Sequence, residues 1–331
     1  MNYLGNFIKK QDFISKNLLG KKEIISVIGY GPQARNQSLN LIDNGFPINI
    51  GVRKNGDSWF KAQNDGFIVN KNLFDIEEAV YKGTIIKYLL SDKGQMEQWR
   101  NVKDNLNTGN TLYFSHGFNI VYQNQTNVIP PNDIDVIMVA PKGPGNKIRQ
   151  SFLNGYGFNS SYAIHQNYTG NALDKCLELG FAIGSNYLFE TTFKKETFSD
   201  LTGERCVLMG MIQGALKAQY DVLIENGHSP VEAYNETVEE GLRFLYPMIN
   251  EKGMDWMFKN CSTTAQIGAI EWSENFERLL KPEIKKCYLS VSSGEETKKV
   301  LNENKEKTKM KLKKIKNQDI WKMHKIMKNL L

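Results

Sequence analysis

Two pairs of carboxylates carry the most chemistry in this chain. Asp200 and Glu204 stand four residues apart in DLTGE, and Glu236 and Glu240 repeat that spacing in NETVEEG. Both pairs fall in stretches that read as apolar helices, and on a helix residues four apart share a face. Like charges so placed destabilise an isolated helix by about 0.2–0.5 kcal/mol, and burial raises that cost. A cation removes the conflict. Four carboxylates suit a hard, oxygen-preferring ion such as Mg²⁺. Spacing alone leaves two plainer accounts open. Either pair can form a solvated acidic face, and Asp200 and Glu204 can simply complement the dipole of a helix first turn.

The elements that would position these residues are legible around them. A helix is expected from Leu201 to Asn226, stopping at Gly227. The next opens at Ser229-Pro230-Val231-Glu232, which supplies an N-cap, a proline at the first helical position and a capping-box partner. It turns Glu236 and Glu240 either inward with Tyr234 or outward with Glu239.

The first half has another character. Ile24–Ile28 reads as a buried strand and runs into Gly29-Tyr30-Gly31-Pro32-Gln33-Ala34, which fits G-x-G-x-x-G/A. A helical pattern follows to Asn44, Gly45 stops it, and Ile48–Val52 is the next strand. This is a βαβ unit whose glycines let a backbone approach a pyrophosphate at a helix N-terminus. After the second strand, an NAD-binding fold usually places an acid on the ribose hydroxyls. This chain has Arg53, Lys54 and Ser58 there, which suit a 2′-phosphate and favour NADPH. Asp57 opposes that preference, and Arg53 and Lys54 also read as ordinary loop charges. Further strands are expected at Thr84–Leu90, Thr111–Phe114 and Asp135–Ala140. Their ends carry Ser91-Asp92-Lys93-Gly94-Gln95, Ser115-His116-Gly117-Phe118-Asn119 and Pro141-Lys142-Gly143-Pro144-Gly145. In open α/β sheets the ligand crevice lies at such carboxyl ends.

Composition bounds the answer. With 331 residues, 40% hydrophobic and 24% charged, the chain fits a soluble protein of two domains. No apolar run approaches the ~20 residues of a membrane span. The opening MNYLGNFIKKQDF lacks a secretory core, and four cysteines without a C-x-x-C motif suit a reducing, cytoplasmic setting. The net charge of +6 is concentrated: residues 298–331 hold twelve lysines against Glu303, Glu306 and Asp319. That tail reads as a solvated terminal helix, with nucleic-acid binding as the competing reading.

Longer segments sharpen these readings. VIGYGPQARNQSLNL, FSHGFNI, VIMVAPKGPG, TTFKKETFSDLTGE, NETVEE and NCSTTAQIGA, in this order, closely resemble the ketol-acid reductoisomerase family over nearly the whole chain. The resemblance implies a Rossmann-type α/β domain over residues 1–191 and an all-α, knotted and interlocking domain over 192–331, as in the short form of the family. It implies two Mg²⁺ ions on Asp200, Glu204, Glu236 and Glu240, with Asp200 bridging. It implies catalytic roles for His116 and Lys142 and a substrate contact for Ser262, which by itself reads as an N-cap. For NADPH it implies Tyr30, Gly31, Pro32, Gln33, Arg53, Ser58, Asp92, Lys93, Gly94, Gln95 and Gly145. The implied reaction is alkyl migration in a 2-aceto-2-hydroxy acid followed by hydride reduction, on the routes to valine and isoleucine. It also implies a homodimer or larger assembly that completes each site with both subunits. Ala34-Arg35 and Ser91 depart from the family pattern, while His165 in AIHQN reads as structural. The alternatives are a β-hydroxyacid dehydrogenase, which needs no pair of carboxylate pairs, and a non-catalytic protein with a basic nucleic-acid-binding tail.

Overall fold

The computed structural model describes residues 6–16, 19–20 and 23–330. The first five residues of the segment read for a signal lie outside them. The chain divides after Thr197 into two units. The sequence reading cut at 191/192; the division falls later, inside the helix Phe193–Gly203.

Among the described residues the first unit is built on nine strands: β1 (Phe7–Lys9), β2 (Ile25–Ile28), β3 (Ile48–Gly51), β4 (Leu73–Phe74), β5 (Ile85–Tyr88), β6 (Thr111–Phe114), β7 (Asp135–Pro141), β8 (Phe158–Gln166) and β9 (Ser185–Glu190). They lie in the order β1-β9-β8-β7-β6-β5-β2-β3-β4. From β4 through β7 every neighbouring pair is parallel, and β8 turns antiparallel against β7. The strands expected from β-branched runs are therefore present: β2, β3 and β5 are trimmed by a residue or two at their ends, β6 keeps the expected bounds and β7 runs one residue further. Successive side chains face opposite sides of the sheet. Val27 and Ile50 join one apolar cluster with Leu41 and Trp59, while Ile28 and Ile86 join another with Val80 and Trp99. Burial on both faces explains why these strands read as continuous apolar runs. The chain leaves β2 toward β3 on one side and returns to β5 on the other. The β2/β5 boundary is thus a topological switch point, where such sheets open a crevice.

The second unit is helical, with one small apolar cluster of Leu216, Tyr220, Ala233, Tyr234, Val238 and Ile320 among the described residues. The single helix expected from Leu201 to Asn226 is not formed. The helix Phe193–Gly203 gives way to a π-helical turn at Glu204–Leu208, and a separate helix runs Gly210–Glu225. Cys206 (φ −98°, ψ −110°) and Met209 (φ −138°, ψ −54°) break the regular path. Asn235–Glu239 and Gly241–Leu245 are also π-helical. Such i→i+5 turns cluster at functional sites, and propensity does not announce them. The basic tail is mostly helix. Its last helix, Asp319–Lys328, docks Ile320 into the small cluster. Trp321 Nε1 donates to Gln213 (3.1 Å), and Tyr234 Oη meets His324 Nδ1 at 2.7 Å. This end of the tail thus packs on its own unit. The lysine-rich helix Lys305–Lys316 buries no residue.

Candidate active site

Six parallel strands deliver their carboxyl ends to one edge of the sheet. At the end of β2, Gly29 to Gly31 form the turn and Pro32 starts the helix Pro32–Asp43. Proline costs nothing at that position, because the first N–H has no intrahelical acceptor. Gly31 is exposed, and a Cβ added there would meet nothing within 4 Å, which leaves room for a pyrophosphate. Tyr30 is held from behind: its ring is buried and its hydroxyl donates to Asp65 (2.8 Å). Burial and that bond raise the phenol pKa. Arg35, one of the departures from the family pattern, closes on the same carboxylate at 2.6 and 2.7 Å. Its guanidinium holds the Asp65 carboxyl below the usual carboxylate range. Tyr30 therefore reaches a cofactor only through its backbone.

At the end of β3, Arg53 and Lys54 are exposed, but they are not equivalent. Lys54 pairs with Asp75 at 3.0 Å, whereas Arg53 makes no ion pair among the described residues. Ser58 and Asp57 sit in the first turn of the helix Asp57–Asn64. After β5, Ser91 caps the helix Asp92–Lys103 by accepting from the Gly94 N–H (3.3 Å). Gln95 is buried and its amide is used inside the loop. Its Nε2 donates to Tyr88 O and Leu90 O, and its Oε1 accepts from Asn119. It braces the loop, leaving the half-exposed Asp92, Lys93 and Gly94 to face a ligand. Gly145 opens the helix Gly145–Leu153 against the glycine turn, where a Cβ would stand 2.6 Å from the Pro32 carbonyl.

The chemistry gathers after β6 and β7. Glu196, only 2% exposed, accepts a hydrogen bond from Lys142 and lies within ion-pair distance of His116. His116 Nδ1 lies 3.2 Å from its Oε2 and Lys142 Nζ 3.1 Å from its Oε1. Burial works to raise the Glu196 pKa, but His116 and Lys142 outweigh it by hydrogen bonding and charge, so the carboxyl sits below its usual range. Gly117 makes the approach possible. A side chain there would come within 2.6 Å of Thr197 Oγ1 and 3.0 Å of Phe193 O. The sequence reading missed Glu196. Its signal was the spacing already in use, since it stands four residues before Asp200, one turn back on the same helix.

In the helical unit, Asp200 and Glu204 are half-buried across the junction of α-helix and π-turn. Glu236 and Glu240 are exposed, while Tyr234, Thr237 and Val238 point inward. The outward alternative therefore holds for both. Glu239 differs from them: Arg243 occupies it at 2.9 Å, whereas Glu236 and Glu240 make no ion pair among the described residues. The four carboxylates do not converge within this chain, since no cluster of three ligating side chains among the described residues includes Glu204, Glu236 or Glu240. Ser262 is exposed and caps the 30-residue helix Thr263–Ser292, accepting from the Ala265 N–H (3.2 Å).

A parallel sheet with a glycine turn at its switch point, and acid–base side chains beyond neighbouring strands, defines a dinucleotide-dependent oxidoreductase. Two family models cover the chain. "Acetohydroxy acid isomeroreductase, NADPH-binding domain" matches residues 18–187, and "Ketol-acid reductoisomerase, C-terminal domain" matches 193–331. The chain belongs to the ketol-acid reductoisomerase family. It is 51% identical to a ketol-acid reductoisomerase (NAD(+)) of Desulfosudis oleivorans, over 96% of this chain and 92% of that one. It is 50% identical to a mitochondrial ketol-acid reductoisomerase of Neurospora crassa, over 97% and 82%. The structure of an NADH-preferring ketol-acid reductoisomerase from an uncultured archean superposes with a TM-score of 0.87 at 30% identity, covering 98% of this chain and 99% of that one.

Proposed function

We propose that this ketol-acid reductoisomerase acts on 2-acetolactate or 2-aceto-2-hydroxybutyrate with NADPH and Mg²⁺. The observation that carries the reading is the buried Glu196 carboxylate gripping His116 and Lys142 beside the cofactor strands. Alkyl migration needs a proton taken from a hydroxyl on one carbon and positive charge on the neighbouring carbonyl oxygen. The Glu196 carboxylate lies 3.2 Å from His116 Nδ1 and favours a proton on that nitrogen, so Nε2 is assigned as the ring atom that exchanges a proton. The same carboxylate aims the Lys142 ammonium, which donates to the developing oxyanion and then supplies the proton that completes reduction.

The metal reading fits the donor set. Glu236 and Glu240 are outward carboxylates without a cation partner among the described residues, while their neighbour Glu239 has one. Bound Mg²⁺ on Asp200, Glu204, Glu236 and Glu240 supplies Lewis acidity to both substrate oxygens. Because the four do not converge in one chain, we assign Asp200 and Glu204 to one subunit and Glu236, Glu240 and Ser262 to its partner in a homodimer. An exposed stripe of Trp272, Phe276 and Leu279 on the long helix supports that assembly.

For the cofactor, Arg53 and Ser58 support NADPH, with Lys54 removed from the count by Asp75. The relative named for NAD(+) and Asp57 in the same loop favour NADH as the second reading. Among the described residues no helix is long and apolar enough to cross a membrane. The cysteine pattern supports a cytoplasmic setting, against which stands the mitochondrial name of the fungal relative. The test is NADPH oxidation with 2-acetolactate, with and without Mg²⁺. Turnover that survives complete chelation sinks the metal assignment, and a lower KM for NADH overturns the cofactor preference.

A further inference from the structure

Gln37 is fully buried on the helix Pro32–Asp43, one turn beyond Gln33, and its amide contacts Gln33, Tyr113 on β6 and Ser115 in the loop after β6. Its Nε2 lies 3.2 Å from Gln33 Oε1 and 2.9 Å from Ser115 Oγ, and its Oε1 lies 3.1 Å from Tyr113 Oη. Gln33 in turn donates from Nε2 to the Gly143 carbonyl (3.1 Å). The polarity of this chain is fixed from one end. A backbone carbonyl can only accept, so Gln33 must present Nε2 to Gly143 and Oε1 to Gln37. Gln37 must then present Nε2 to Gln33, which leaves its Oε1 for the tyrosine hydroxyl. Tyr113 Oη shares its one proton between that Oε1 and the Val139 carbonyl (3.2 Å), so the amide orientation is set from the Gln33 side, where reversing it would bring oxygen against oxygen.

The partners are not arbitrary. Gln33 lies in the cofactor turn, Ser115 precedes His116, and Gly143 follows Lys142. We propose that Gln37 is a positioning residue that locks the cofactor turn to the loops bearing His116 and Lys142, so that a seated nicotinamide cofactor and an aligned acid–base pair occur together. The proposal rests on the reductoisomerase reading for its kinetic arm, while its binding arm needs only the cofactor.

The test compares wild type with Gln37→Met, which keeps volume and chain length but removes the hydrogen bonds. The expected outcome is a fall in kcat of at least tenfold and a KM for 2-acetolactate within threefold. The NADPH Kd, read by nucleotide fluorescence, should rise at least threefold. Cofactor deuterated at the transferring position should show a larger isotope effect on kcat, because misalignment makes hydride transfer limiting; a packing defect alone would not move it. In a double-mutant cycle on NADPH affinity, Gln33→Ala and Gln37→Met should be non-additive. Values of kcat, Kd and isotope effect all within twofold of wild type overturn the proposal. Should Gln37→Met not fold, Ser115→Ala cuts the same hub and carries the same two outcomes. A wild-type enzyme inert toward 2-acetolactate would instead overturn the reductoisomerase reading, and the NADPH arm would still judge Gln37.

Discussion

The two units of this chain differ in how far each completes itself. In the first, strand after strand is buried on both faces, and two apolar clusters flank the sheet. In the second, the described core is one small cluster, and the 30-residue helix Thr263–Ser292 buries only Val291. Ile267, Ile270, Trp272, Phe276, Leu279 and Leu289 on that helix are exposed. Scattered apolar residues on a surface are ordinary, but Trp272, Phe276 and Leu279, spaced i, i+4 and i+7, form a stripe on one face of that helix. The contrast extends to the chemistry. His116, Lys142 and Glu196 meet in one chain, whereas Asp200, Glu204, Glu236 and Glu240 do not. The first unit brings its acid–base chemistry together by itself, and the second leaves its carboxylates apart among the described residues.

The largest expected effect attacks the incomplete half. Glu236→Gln should lower Mg²⁺-dependent turnover at least a thousandfold while NADPH affinity stays within twofold, because the cofactor strands lie in the other unit. Equal loss of both would erase the contrast. If the proposed dimer forms, Phe276→Asp should leave a monomer by light scattering and abolish turnover, again sparing NADPH binding. A dimer that persists would show that the stripe is not the contact.

Smaller effects probe the complete half. Glu196→Gln should reduce kcat ten- to a thousandfold, since it unseats both His116 and Lys142. The depressed carboxyl also sets a sign. Its stabilising contribution is complete above the unfolded glutamate pKa of ~4.3 and is lost as pH falls through the lower folded value. The variant should therefore show a shallower loss of stability in acid, measured by denaturant midpoints. The smallest effect concerns Lys87, fully buried on β5 with its ammonium nitrogen 3.7 Å from the Tyr113 ring centroid and no hydrogen-bond partner among the described residues. Burial drives its pKa well below the ordinary value. The unfolded chain then binds the extra proton between that depressed value and ~10.4, so stability rises with pH across the window. Lys87→Met should remove that slope and raise the Tm by a few degrees, the ~1 kcal/mol scale of an unsatisfied buried group. A lower Tm would mean the amine has a partner that matters.

Much of this was legible beforehand, for identifiable reasons. Turn chemistry wrote the βαβ unit, because the positive φ and close Leu89 carbonyl at Gly29 require a glycine and Pro32 suits the first helical position. Caps wrote two helix starts, at Ser229 and Ser262, each accepting from the N–H three residues on. The break at Glu204–Leu208 was not legible, since ERCVLMGMIQGALKAQY has the composition of one unbroken helix. Glu196 was missed because the spacing rule was not carried one turn upstream. Lys54 was overcounted because its partner, Asp75, comes from another strand end.

The amino-acid sequence by itself determined the order of the elements, the cofactor turn, the carboxylate pairs and the family. These are local matters of period, cap and spacing, which neighbours along the chain decide. Only the tertiary structure decided which side chains meet. It set Glu196 between His116 and Lys142, directed Glu236 and Glu240 outward, paired Glu239 and Lys54 with other side chains, and brought Gln37 against Tyr113 and Ser115. Those outcomes depend on strands and helices far apart in sequence arriving at one edge of a sheet, and no local pattern records that distance.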